Sequence, residues 1–406
     1  MSRRILTPGR NRREATGEAM SKVFVIAQGG GPTAVINQTV AGATLTAMKR
    51  YPGAKVLGAR HGVRGLRDGH FIDLSALSET DLRRMAMTPN AALGSTRDKP
   101  DAAYCDRILN QLEAVKADAF IYIGGNDTAG TCQILDASGG DRIAFIHAPK
   151  TIDNDLVEND HTPGFISAAA FVAHAFLSVS LDFHALPGIY VGIVMGRHAG
   201  FLTAAAAAWK QTERDGPHLV YVPEIPFSTE RFIEDVRATR EKHNYCIVSM
   251  SEGVTTDDGK SLIESLLGDA LERDSHGNVQ LSTNDLGMAM QTALSAAFPK
   301  ARARVDTFGY LPRAFSGTVS DIDRREAFET GAFAVDAAGS GSCSVALGNE
   351  QGSVAIRSVP LASVAGKTRL MLRHFLDAAG TMLAPAGAAY MARLLPPPPD
   401  TFPPFV

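Results

Sequence analysis

A chain of 406 residues has room for roughly two to three domains and a sizeable core. Its 45% hydrophobic and 20% charged residues exclude general disorder, and a net charge of -3 excludes a nucleic-acid or acidic-membrane partner held by overall attraction. Any anionic ligand must be gripped by local arginines and lysines. Cys105, Cys132, Cys246 and Cys343 form no C-x-x-C pair, which argues against a zinc cage or disulfide framework and fits a reducing cytoplasm.

Residues 1–20 carry Arg3, Arg4, Arg10, Arg12 and Arg13 with no apolar run behind them, so they read as a disordered basic tail and not a secretory signal. Residues 23–27 then form an apolar run with the look of a buried strand, followed by Gln28-Gly29-Gly30-Gly31-Pro32-Thr33 and a helix from about Val35. The same unit recurs at 119–123, which leads into Gly124-Gly125-Asn126-Asp127-Thr128 and a helix over 129–135. A further buried strand at 142–148 feeds Pro149-Lys150-Thr151-Ile152-Asp153-Asn154-Asp155. Residues 190–194 run into Met195-Gly196-Arg197 and an alanine-rich helix over 202–209, the longest apolar candidate and well short of the ~20 residues of a membrane span. Residues 246–250 run into Ser251-Glu252-Gly253. A helix from Asp323 to Val335, an edge strand at 353–356 and an extended tail with Pro396 to Pro399, Pro403 and Pro404 complete the pattern. Strands alternating with helices predict an α/β protein of two doubly wound three-layer α/β/α lobes with parallel-rich sheets.

The loop 149–155 concentrates two carboxylates, a hydroxyl and an ammonium at a strand's carboxyl end, where open α/β sheets bind ligands. Asp, Asn and Thr are also ordinary turn residues, so its surroundings decide between a solvated turn and phosphoryl chemistry. The glycine loops ahead of helices are candidate phosphate cradles, because unobstructed N–H groups there point toward one place. Ala34 breaks the G-x-G-x-x-G fingerprint, which disfavours a dinucleotide oxidoreductase, and Leu361 spoils a Walker A reading of Gly366-Lys367-Thr368.

From about Lys22 to Gly331 the chain resembles the phosphofructokinase family. The motifs stand in family order: Gly29-Gly30-Gly31, Gly94-Ser95-Thr96-Arg97, Gly124-Gly125-Asn126-Asp127, the loop 149–155, Met195-Gly196-Arg197, Ser251-Glu252-Gly253 and Gly309-Tyr310-Leu311-Pro312-Arg313. The resemblance implies phosphoryl transfer to the 1-hydroxyl of fructose 6-phosphate, with Asp153 as general base and Thr151, Lys150 and Arg197 beside the transferring group. It implies donor binding by Gly29, Gly30, Gly31, Arg97, Gly125, Asn126, Asp127 and Lys150. Sugar phosphate would meet Thr151, Asp153, Met195, Gly196, Arg197, Glu252, Arg304, Tyr310 and Arg313. Asp127 with Lys150 resembles the pyrophosphate-dependent branch, since ATP-using members usually have glycine at both positions.

Mg²⁺ is the implied cofactor, held by Asn126, Asp127 and Asp155, although Asn126 replaces an aspartate of many relatives and an amide is a weaker ligand for a hard cation. Gly188 stands where many members carry an interface arginine, which thins the phosphate clamp. That leaves open an ATP-dependent kinase, another acceptor such as sedoheptulose 7-phosphate or a polyol, or a noncatalytic sugar-phosphate-binding regulatory subunit. The implied lobes are residues 21–164 with 312–390 for the phosphoryl donor and 165–311 for the sugar phosphate, flanked by tails 1–20 and 391–406. A cytoplasmic homodimer or homotetramer, binding neither nucleic acid nor membrane, is the expected assembly.

Overall fold

The computed structural model describes residues 21–139, 142–267, 283–350 and 352–401. The basic tail expected at 1–20 and the prolines Pro403 and Pro404 lie outside the described residues. In chain order the strands are β1 (Val23–Gln28), β2 (Lys55–Ala59), β3 (Phe71–Asp73), β4 (Ala119–Gly124), β5 (Ala144–Pro149), β6 (Ile189–Val194), β7 (Leu219–Tyr221), β8 (Cys246–Ser251), β9 (Ala303–Thr307), β10 (Cys343–Glu350) and β11 (Ser353–Val359).

They form two sheets. The first has the order β11-β10-β5-β4-β1-β2-β3, and the second β7-β8-β6-β9. Within the first, β1 runs parallel to both neighbours, with Val25 opposite Leu57 and Phe120, while β3 and β11 close the edges antiparallel. All pairs of the second are parallel. A central parallel strand is covered on both faces, which is why β1, β4, β6 and β8 read as mostly apolar runs. The expected helices lie at Ile36–Arg50, Asn126–Gly139 and Asp321–Ala337. The alanine-rich stretch makes one helical turn, Phe201–Ala204, followed by a 3₁₀ turn, Ala205–Ala207.

The longest apolar helix is instead Phe165–Ala185, whose 21 residues are long and apolar enough by length and composition to cross a membrane. In this fold 56% of its most apolar window is buried. Its Phe165, Ile166 and Phe176 share a core with Phe201, Leu202 and Val220. The buried Asp323 holds its start, accepting from the N–H groups of Gly164 (2.8 Å) and Ser167 (2.9 Å) and from the Ser167 hydroxyl (2.6 Å). A carboxylate there complements the positive end of the helix dipole.

The C-terminal stretch departs from the expected division of the chain. Met371, Phe375, Leu376, Tyr390, Met391 and Leu394 belong to the core of Phe165–Ala185, so residues 371–390 pack with the part of the chain read as the sugar-phosphate lobe. The helix Pro385–Leu394 carries order past residue 391, and Trp209 Nε1 donates to the Pro396 carbonyl at 3.0 Å. Burial of apolar side chains outweighs proline's preference for a free extended tail.

Candidate active site

The carboxyl ends of β1, β4 and β5 open on one crevice, and the loop 150–155 leaves β5 into it. Main-chain pairing fixes the loop's course: the Thr151 N–H donates to the Pro163 carbonyl (3.3 Å), and the Thr162 hydroxyl donates to that of Thr151 (2.9 Å). Lys150 is buried, and its Nζ donates to the carbonyls of Gly29 (2.9 Å) and Gly31 (2.7 Å). Burial brings the Lys150 pKa down to about 8, with Arg313 and Arg97 adding repulsion. One of three ammonium hydrogens is left for a ligand.

The first glycine loop differs from the cradle expected of it. Gly29 N–H donates to the Ile123 carbonyl (2.8 Å) and Gly30 N–H to that of Thr96 (3.0 Å). Of the three glycines only Gly31 keeps an N–H without an acceptor among the described residues. Beside this loop lies a cavity of about 300 Å³, lined by Gly30, Gly31, Pro32, Arg64, Ser95, Thr96, Arg97 and Arg313. Its cationic lining is made mainly by side chains. Arg64 is set by Asp98, which accepts from its Nε (3.1 Å) and Nη2 (2.6 Å) and is itself held by the hydroxyls of Thr96 (2.7 Å) and Tyr104 (2.8 Å). This side-on pairing leaves Arg64 Nη1 without an acceptor among the described residues.

Asp153 is half-buried, and its Oδ1 is shielded with no hydrogen-bond partner among the described residues. Burial, then the neighbouring Asp155 and Glu252, push its pKa up to about 7 against the pull of Arg313 and Lys150. Burial likewise raises Asp155, and it raises Glu252 against the nearby cations Arg197 and Arg313. Asn126 Nδ2 donates to Asp155 Oδ2 (3.2 Å), leaving Asn126 Oδ1 buried without a partner. That orphaned oxygen beside a carboxylate is a fitting pair of ligands for Mg²⁺, which commonly takes one or two protein carboxylates and completes its shell with phosphate and water. Asp127 does not join them. It sits at the exposed start of Asn126–Gly139, paired with Lys99 at 3.2 Å, so solvent and a cation already satisfy it. Among the described residues no three His, Cys, Asp or Glu side chains converge as a metal cage.

Met195, Gly196, Arg197 and Glu252 meet where β6 and β8 end, because the Ser251 hydroxyl donates to the Gly196 carbonyl (2.7 Å) and ties the two loops together. Arg313 stands between this group and the donor cavity, its guanidinium against Gly31 and 4.5 Å above the Tyr310 ring. Tyr310 is 72% exposed and serves as a stacking platform for Arg313. Arg304 is not brought to the cluster: it is the second residue of β9, exposed, and its Nη1 donates to the Ala303 carbonyl (2.7 Å). Gly188 carries no arginine for a steric reason, since a Cβ there would stand 2.5 Å from the Arg302 carbonyl.

Sequence reasoning missed Arg64, Lys99 and Asp98. For Arg64 a signal existed: Val56-Leu57-Gly58-Ala59 is itself a strand whose carboxyl end leads through Gly62 into a helix. Asp98 and Lys99 follow Gly94-Ser95-Thr96-Arg97 directly, but their charged partners Arg64 and Asp127 are distant in sequence.

A parallel sheet opening its strand ends on a cationic cavity, with a carboxylate poised to titrate near neutrality beside it, defines a phosphotransferase-type crevice. The phosphofructokinase family matches residues 23–338, and the chain belongs to it. It is 48% identical over 379 residues to the pyrophosphate--fructose 6-phosphate 1-phosphotransferase of Rhodospirillum rubrum, covering 91% of this chain and 93% of that one. The enzyme of the same name from Halomonas elongata is 32% identical over 93% of this chain and 92% of its own. The crystal structure of pyrophosphate-dependent phosphofructokinase from Marinobacter aquaeolei superposes with a TM-score of 0.80 at 30% identity, covering 95% of this chain and 94% of that one.

Proposed function

We propose that this phosphofructokinase transfers a phosphoryl group from inorganic pyrophosphate to the 1-hydroxyl of fructose 6-phosphate, reversibly. The observation that carries the donor choice is Lys150, a buried cation fastened to the donor loop through the Gly29 and Gly31 carbonyls, with Arg97, Arg313 and Asp153 within electrostatic reach. Such stored positive charge suits a compact polyanion that brings no other binding group. In the forward step the sugar oxygen bonds to phosphorus, the bridging P–O bond breaks, its electron pair leaves with orthophosphate, and the hydroxyl proton passes to Asp153.

In this reading Arg64, Arg97, Arg313 and the free Gly31 N–H hold pyrophosphate, while Met195, Arg197 and Glu252 orient the sugar. Asp127 would crowd the α-phosphate of a nucleotide, although Lys99 blunts its charge. Asp155 and the Asn126 carbonyl oxygen would hold Mg²⁺, which supplies charge neutralisation to the phosphate oxygens. Exposed Arg304 on the open edge strand β9 suits service to a neighbouring subunit in a homodimer or homotetramer, which sedimentation tests.

The test is steady-state kinetics with pyrophosphate and with ATP, each against fructose 6-phosphate, in wild type and Asp153→Asn. Pyrophosphate is expected to be used in preference, and the variant to lose about 10² to 10⁴ in kcat with binding retained. A wide preference for ATP overturns the donor, and near wild-type kcat in the variant overturns the base. Gly188 and the distant Arg304 favour a second reading of the acceptor alone, in which the clamp tolerates other sugars. A panel including sedoheptulose 7-phosphate and unphosphorylated fructose separates the two.

A further inference from the structure

The stretch from Arg369 to Arg393 lies beyond the part of the chain that the family matches, yet it fastens directly onto the loop bearing Asp153. Asn154, the next residue, is fully buried in the left-handed region at φ 59°. Asparagine enters that region more readily than most side chains, and which conformation it keeps is set by its surroundings. Here the surroundings are C-terminal. Asn154 Nδ2 donates to the Tyr390 hydroxyl (2.8 Å), which in turn donates to the Asp160 carbonyl (2.7 Å). The Arg369 N–H donates to the Asp155 carbonyl (2.7 Å), and Arg369 Nη1 donates to the same Asp160 carbonyl (2.7 Å). Arg393 pairs with the Asp160 carboxylate at 2.5 Å. On its far side the loop is held by buried His161, whose ring nitrogens meet Asp160 (2.8 Å) and Glu326 (2.7 Å).

We propose that Tyr390 is a positioning residue for phosphoryl transfer: its hydroxyl locks Asn154 in the left-handed turn and so aims the adjoining Asp153 at the acceptor hydroxyl. One hydroxyl bridges two points of the loop six residues apart, and no other side chain among the described residues hydrogen-bonds the Asn154 amide. The ring itself is held independently, packed against Phe201 (5.9 Å) and Phe375 (5.1 Å). Removing the hydroxyl therefore frees the Asn154 amide, while the Arg369, Arg393 and His161 contacts and the aromatic packing stay in place.

Tyr390→Phe is the variant that tests this. A displacement of about 1 Å at a reacting group can cost about 10²-fold, so kcat is expected to fall about 10- to 100-fold while KM for both substrates stays within about threefold. Amide exchange across 152–156 should quicken, with the melting temperature held within a few degrees. A kcat within about twofold of wild type, or a loss expressed in KM, overturns the inference. It rests on Asp153 as the base. An undiminished kcat in Asp153→Asn would fail that reading, whereas unchanged exchange at 152–156 in Tyr390→Phe would fail this one.

Discussion

After β1 the chain runs Gly29-Gly30-Gly31, and after β4 it runs Gly124-Gly125, yet the two loops use their backbones in opposite ways. In the first, two N–H groups are spent on Ile123 and Thr96, and the carbonyls of Gly29 and Gly31 turn to Lys150. In the second, the Gly125 carbonyl caps the first turn of a 14-residue helix, and the N–H groups of Asn126 and Asp127 have no acceptor among the described residues. Glycine is needed in the first loop for close approach, because a Cβ on Gly29 would stand 2.8 Å from the Tyr122 hydroxyl. On Gly125 it would meet nothing nearer than the Lys150 carbonyl at 3.9 Å. A glycine loop is thus a phosphate cradle only where its donors remain unspent, and the first loop supplies charge through the lysine it binds.

The comparison breaks most readily at that lysine. Lys150→Met should leave the first loop without its cation and lower kcat with pyrophosphate by about 10² or more, read under saturating substrates. An unaffected kcat would return the cationic role to the backbone. Next, Gly29→Ala should destabilise the protein by about 1–3 kcal/mol through overpacking against Tyr122, while Gly125→Ala stays within about 0.5 kcal/mol. Denaturant melts of the pair measure the contrast, and equal effects would erase it.

A smaller effect is expected at Arg64, which extends the side-chain lining of the first loop. Arg64→Ala should raise KM for pyrophosphate about tenfold, the loss of one charge-assisted contact, with KM for the sugar little changed. A change confined to the sugar would remove Arg64 from the donor cavity. The gentlest test is pH. Asp153 must be ionised to accept a proton, and its pKa is raised to about 7, so kcat/KM should climb as pH rises through 7. Lys150 must be protonated to bind phosphate, and its pKa is lowered to about 8, so kcat/KM should fall as pH rises through 8. Lys150→Arg should push the alkaline limb upward and leave the acid limb in place.

What could be read in advance follows from how local each feature is. The strands β1, β4, β6 and β8 are mostly apolar runs with a glycine at or within two residues of their carboxyl ends, and Lys150, Thr151, Asp153 and Asp155 are near neighbours in one loop, so both were legible. β9 was not, since Ala303-Arg304-Val305-Asp306-Thr307 alternates charge with apolar residues as a half-exposed edge strand does. The helix Phe165–Ala185 escaped because a segment apolar on nearly every side shows no 3.6-residue period. The pairing of Asp127 with Lys99 was not legible, because motif order does not reveal which way a helix's first turn faces. The partnerships of Arg64 with Asp98, Asp127 with Lys99 and Asn154 with Tyr390 join residues 34, 28 and 236 positions apart or nearly so, distances that only folding closes.

Trp209 is the sole tryptophan of the chain. Its indole N–H ends on Pro396, two residues past the helix that carries Tyr390, and its ring lies 4.4 Å from that of His174. The protein therefore contains a built-in optical probe of C-terminal docking. Undocking would expose the indole to water and shift its emission to the red, and no dye or label is needed to follow the motion. Stopped-flow fluorescence can time that motion against turnover, and iodide quenching can report how often the indole is uncovered at rest.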